Sequence, residues 1–135
     1  MAVGGWWCSV NDAAAWSTFD DVSNAGKGDG FGFVLNGDGV VCIDLDDCVV
    51  DGVVSSEAQA LIDSLPETFV DLSPSGRGLH VWGFGELSHG RKFRLGGLKV
   101  EVYGDARFMT VTGRAMVEAP LAVLDLSDLV GCENV

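Results

Sequence analysis

The chain has 135 residues, 47% of them hydrophobic, and a formal net charge of −12. That length specifies one domain with room for a real core, and the apolar content excludes a disordered chain. The acidity argues against a generic nucleic-acid binder, which normally carries a basic footprint.

Elements follow in chain order. Asn11-Asp12-Ala13-Ala14-Ala15-Trp16-Ser17-Thr18-Phe19 reads as a short capped helix, and residues 23–30 as a glycine-rich polar loop. Residues 31–35 and Val40–Asp46 read as a hairpin across Asn36-Gly37-Asp38-Gly39. Ser55 caps a helix that runs to about Leu65, where Pro66 ends it. Residues 69–73 and Leu79–Phe84 read as strands joined by a Ser-Pro-Ser-Gly turn. Residues 86–97 read as a polar, basic loop. Leu98–Tyr103 and residues 107–113 read as a second hairpin across Gly104-Asp105, and residues 120–130 as a short helix or an irregular tail. One α+β domain over residues 1–135, with a largely antiparallel sheet, is expected.

No apolar run reaches the roughly eighteen residues a membrane helix needs, and no signal peptide is legible at the N-terminus. A cytoplasmic protein with no membrane partner is therefore expected. Cys8, Cys42, Cys48 and Cys132 form no CxxC pair, so buried reduced thiols are expected rather than a zinc site. Trp6, Trp7, Trp16 and Trp82 fit packing better than base stacking.

The charge is polarised. Lys27 is the sole basic residue before Arg77; the other seven lie from Arg77 to Arg114, against three acids, giving +4 there.

Two segments carry chemistry. In Val41-Cys42-Ile43-Asp44-Leu45-Asp46, strand alternation puts Asp44 and Asp46 on one face, opposite Val41, Ile43 and Leu45. Two neighbouring carboxylates repel unless a cation sits between them, and oxygen donors suit Mg²⁺ or Mn²⁺. By the same alternation, Glu101 faces away from Leu98, Val100 and Val102 and is free to join them. A trio of solvated strand ends fits the spacing as well.

The second segment is Ser73-Pro74-Ser75-Gly76-Arg77-Gly78-Leu79-His80. Gly76 and Gly78 permit close backbone approach to a phosphate, Ser73 and Ser75 offer hydroxyls, Arg77 can fork onto phosphate oxygens, and His80 faces the polar side. A plain β-turn followed by a half-exposed histidine is the structural alternative.

VCIDLD, SPSGRGLH and KVEVYGDARFMTVTG, in this order and preceded by GFGFVL, resemble the primase-polymerase branch of the archaeo-eukaryotic primases, a type often encoded by phages and plasmids. The resemblance runs from about residue 16 to residue 114. It implies a palm-like sheet with flanking helices and a template-directed nucleotidyltransferase acting in DNA replication as primase, polymerase or both. It further implies Mg²⁺ or Mn²⁺ held by Asp44, Asp46 and Glu101, and a triphosphate gripped by His80 with Ser73, Ser75, Gly76 and Arg77. The implied partners are nucleoside triphosphates, single-stranded DNA template and primer, and a separate helicase or other replication protein. Many such primases carry Ser where this chain has Gly78. Arg107 and Thr112 either touch nucleotide or template, or brace the sheet. Arg91, Lys92 and Arg94 either hold a DNA backbone or form a solvated loop, and His89 is expected to be exposed. The alternatives are a primase-fold module that binds nucleotide or a replication partner without catalysis, and a carboxylate-rich structural metal protein.

Overall fold

The computed structural model describes Ser9, residues 11–26, residues 30–127 and Leu129. Trp6, Trp7, Cys8, Lys27, Val130 and Cys132 lie outside the described residues.

Asp12 caps a single 3-10 turn, Ala13–Ala15, through its side chain to the Ala14 N–H. A separate helix follows, α1 (Phe19–Ala25), capped by Thr18 and ended by Gly26 at φ +63°. The helix expected near Asn11 is therefore a single 3-10 turn. The expected loop from Ser23 begins inside α1, because Thr18 opens a new cap. The second helix, α2 (Ser56–Ser64), is capped by Ser55 as expected.

The strands are β1 (Phe31–Asn36), β2 (Val40–Asp46), β3 (Val49–Val50), β4 (Val53–Val54), β5 (Val70–Leu72) and β6 (Leu79–Phe84). They continue as β7 (Arg91–Leu95), β8 (Leu98–Tyr103), β9 (Asp105–Val111), β10 (Ala115–Val117) and β11 (Ala122–Val123). The main sheet runs β10-β5-β6-β2-β8-β7, all antiparallel, with β11 added in parallel at the far end of β6. The residues expected as a basic loop include a regular edge strand, β7, paired with β8. Its basic side chains alternate with Phe93 and Leu95, which pack on the core. Charged edges of this kind also discourage edge-to-edge association.

Both expected hairpins are replaced by a different pairing. β2 has β6 on one side and β8 on the other, so no edge remains for β1. β1 pairs instead with β9, forming a two-stranded ribbon. The Phe108 ring of β9 lies over Gly32 of β1, where a side chain would displace it. β8 and β9 are continuous through Gly104 yet belong to different layers.

The two faces of the sheet differ. Odd-numbered β2 residues Val41, Ile43 and Leu45 join Leu79, Val81, Val100 and Val102 in the main core, closed by Ala58 and Leu61 of α2. On the other face the ribbon's Leu35 and Met109 pack on Cys42, Trp82 and Tyr103. Cys42 and Cys48 are buried free thiols, and burial is the main force pushing both above the ordinary thiol range, Cys48 to about 11. They are therefore poor nucleophiles.

Candidate active site

On the ribbon side, one row of register partners crosses five strands: Asp71 on β5, His80 on β6, Asp44 on β2, Glu101 on β8 and Lys92 on β7. Residues opposite one another in an antiparallel ladder share a face, with Cβ atoms about 5 Å apart. The next row on this face holds Asp46, Lys99 and Arg94. The ribbon covers Cys42, Trp82 and Tyr103, while Asp44 and Glu101 retain partial solvent access.

Asp44 is the electrostatic centre. Its Oδ1 stands 3.5 Å from His80 Nε2. Burial raises its carboxyl to about 6; His80 and Arg107 oppose the rise, while Asp46 and Glu101 add to it. The three acidic side chains thus act on one another. They are not gathered into a cage: among the described residues no group of three His, Cys, Asp or Glu side chains is placed to hold a metal. Glu101 is held elsewhere, with Oε1 3.2 Å from Lys92 Nζ and Oε2 accepting the Tyr103 hydroxyl at 3.0 Å. Asp46 is exposed. The donor set is all carboxylate oxygen, which suits a hard divalent cation.

His80 is buried at 6% exposure, more than a half-exposed strand residue. Its Nδ1 lies 3.0 Å from the Thr110 carbonyl of β9. Arg107, also on β9, donates to the Tyr103 hydroxyl at 2.6 Å, and its guanidinium sits 4.1 Å above that ring. Arg107 therefore leans toward Glu101. Thr112 braces the sheet: its hydroxyl donates to the Leu72 carbonyl at 2.6 Å.

The Ser73–His80 turn is docked on the end of β2. Cys48 and Val49 both donate N–H to the Arg77 carbonyl, and Arg77 Nε approaches Asp47 at 3.9 Å. The two segments singled out in the sequence are thus physically joined. The hydroxyls are partly engaged: Ser73 Oγ accepts the Gly78 N–H, Ser75 Oγ accepts the Arg77 N–H, and the two oxygens lie 3.2 Å apart. Only one proton can serve that contact, so the other hydroxyl proton is left for a ligand. Gly76 takes φ +76°, which favours glycine. Gly78 has a packing reason instead: a Cβ there would meet the Leu45 carbonyl at 2.7 Å. Serine does not fit at this position in this backbone. Arg114 clamps the turn from outside, donating to the Ser73 and Pro74 carbonyls.

Sequence reasoning missed Asp71 and Tyr103. Asp71 is fully buried within an apolar stretch, and a lone acid in such a stretch was the available signal. His89 is exposed, as expected, and Trp82 is buried.

No family model matches the chain. The chain is similar to a DNA primase-polymerase of Nitratiruptor phage NrS-1, with 37% identity over 116 residues. The match covers 78% of this chain and 16% of that protein, so the chain corresponds to a small part of the relative's length. The similarity supports a primase-polymerase relationship. No described helix is long and apolar enough to cross a membrane.

Proposed function

We propose that this domain is a template-directed nucleotidyltransferase of the primase-polymerase type, acting in phage- or plasmid-type DNA replication. One observation carries the reading most: His80, Asp44 and Glu101 are consecutive register partners on adjacent strands, with the SPSGRGLH turn docked beside them. The similarity to a phage primase-polymerase points the same way.

Asp44, Asp46 and Glu101 would hold Mg²⁺ or Mn²⁺. Such cations, when bound, activate a 3′-hydroxyl and neutralise a departing pyrophosphate. The chain's own residues do the positioning. His80, fixed through Nδ1, turns Nε2 toward Asp44 and the cleft. The free hydroxyl proton of the Ser73/Ser75 pair, the Gly76 backbone and the exposed Arg77 lie at the end of β2, where a triphosphate would be gripped. Arg107 and Tyr103 border Glu101 and would contact the nucleotide. Lys92, Arg94 and Lys99 line the same face beside the carboxylates, a short basic strip for a DNA backbone in an acidic chain. The larger size of the relative fits a domain that works with a helicase or other replication protein in the cytoplasm of a host cell.

The test is direct. The purified protein is incubated with single-stranded templates, Mn²⁺ or Mg²⁺, and labelled ribo- or deoxyribonucleotides, with and without a primer. New or extended labelled oligomers support the reading. If nucleotide binds but no oligomer forms under any combination, the non-catalytic binding module is the better description.

A further inference from the structure

Asp71 lies wholly buried on β5, opposite His80. Its carboxylate accepts three N–H groups. Trp82 Nε1 donates to Oδ1 at 3.0 Å, while the backbone N–H groups of Thr112 and Gly113 donate to Oδ2 at 3.0 and 3.3 Å. Trp82 belongs to the main sheet, whereas Thr112 and Gly113 follow β9 of the ribbon. One carboxylate therefore fastens the end of the ribbon to the sheet.

Besides the Asp44 carboxylate, two contacts hold the His80 ring, and both hang from this fastening. Thr110, two residues before Thr112, presents its carbonyl to His80 Nδ1 at 3.0 Å. The Trp82 ring meets the His80 ring edge-on, with centroids 6.2 Å apart at 84°. A carbonyl oxygen only accepts, so Nδ1 must carry the proton, which leaves Nε2 as the nitrogen facing Asp44. We infer that Asp71 is a positioning residue that locks His80 in the Nδ1–H tautomer with Nε2 turned to the cleft. Its importance for nucleotide handling rests on the function proposed above; the tautomer lock itself does not.

The inference separates from a purely structural role because every strong partner of Asp71 is a donor. Asparagine has nearly the same shape, but its amide must turn an N–H toward either Trp82 or the Thr112–Gly113 pair. Turning it to Trp82 keeps the amide oxygen on both ribbon N–H groups, so Asp71→Val, of similar size and with no acceptor, is the variant expected to release the ribbon end.

The experiment reads the His80 ring nitrogens by ¹⁵N NMR at about pH 8.5, where an ordinary imidazole is neutral. His89→Gln removes the second histidine and simplifies the spectrum. Wild type is expected to show the Nδ1–H tautomer, and Asp71→Val a mixture with the Nε2–H form. Trp82→Phe keeps both Oδ2 bonds and is expected to keep the Nδ1–H tautomer. A folded Asp71→Val protein with an unchanged tautomer overturns the inference, as does a wild type found in the Nε2–H form, which needs no variant to fold. A wild type in the Nδ1–H form that incorporates no nucleotide defeats the proposed function and leaves this inference standing.

Discussion

Asp44 and His80 stand directly opposite each other in the β2–β6 ladder, with Oδ1 3.5 Å from Nε2, and Glu101 occupies the matching position on the other side of Asp44. Central strands are rigid, so the three side chains start from fixed Cβ positions.

The first prediction concerns Asp44→Asn. Nucleotide addition should be lost while the fold persists. The metal-free variant should also be more stable than wild type near neutral pH. Burial pushes the folded-state carboxyl up to about 6, from an ordinary value of 3.8. A raised pKa means that the protonated form is favoured in the folded state. The stability it contributes is complete below pH 3.8 and is lost as pH rises to about 6. The bare shift corresponds to about 3 kcal/mol, and solvent access reduces it. Thermal melts of both proteins from pH 4 to pH 7 check this: the variant's advantage should grow across the window. A constant difference would contradict the electrostatic assignment.

His80→Ala should weaken nucleotide binding. Once His80 is protonated, Nε2–H can donate to a triphosphate oxygen while Nδ1–H stays on the Thr110 carbonyl; a hydrogen bond to a charged group is worth about 1.5–3 kcal/mol, roughly ten- to a hundredfold in affinity. Calorimetry with a nucleoside triphosphate measures it. Unchanged affinity in a folded variant removes His80 from the site.

Gly78→Ala tests the docking of the turn. Its Cβ would sit 2.7 Å from the Leu45 carbonyl, a backbone atom that cannot swing aside. The strain should cost about 1–3 kcal/mol in urea denaturation. Nucleotide binding should fall too, because the turn must lift from the end of β2. A variant as stable as wild type would show that the turn is held more loosely than the structure indicates.

Lys92→Ala should tighten Mn²⁺ binding. Lys92 is the cation paired with Glu101, and the pair raises the Lys92 ammonium above its ordinary pKa; on the proposed reading it competes with a metal for that carboxylate. Lys92 is exposed, so the fold should be unaffected. Titration with Mn²⁺ on wild type and variant decides it; weaker binding in the variant would mean that Lys92 helps to build the site.

Much of the site was legible because strand alternation is local. Asp44, Asp46 and Glu101 fall on the face opposite Val41, Ile43, Leu45, Val100 and Val102, as period-two reasoning requires. What was not legible depends on partners far away in sequence. Phe31 pairs with Val111, and no local rule shows that β2 has both edges taken, so β1 was assigned to its chain neighbour. Arg91 to Leu95 looked like a loop because its charges dominate, although Phe93 and Leu95 alternate with them and reach the core. Asp71 escaped notice because its three partners lie on β6 and after β9, eleven or more residues away.

The most direct measurement is template-directed incorporation by wild type beside Glu101→Gln, with both shown to be folded. Glutamine keeps the shape of Glu101 and removes the charge. Changing a residue that merely orients a metal ligand typically costs about 10- to 100-fold, so losing a ligand should cost about 100-fold or more. The account predicts labelled oligomers from wild type and almost none from the variant. A folded Glu101→Gln protein that extends primers at the wild-type rate would contradict it.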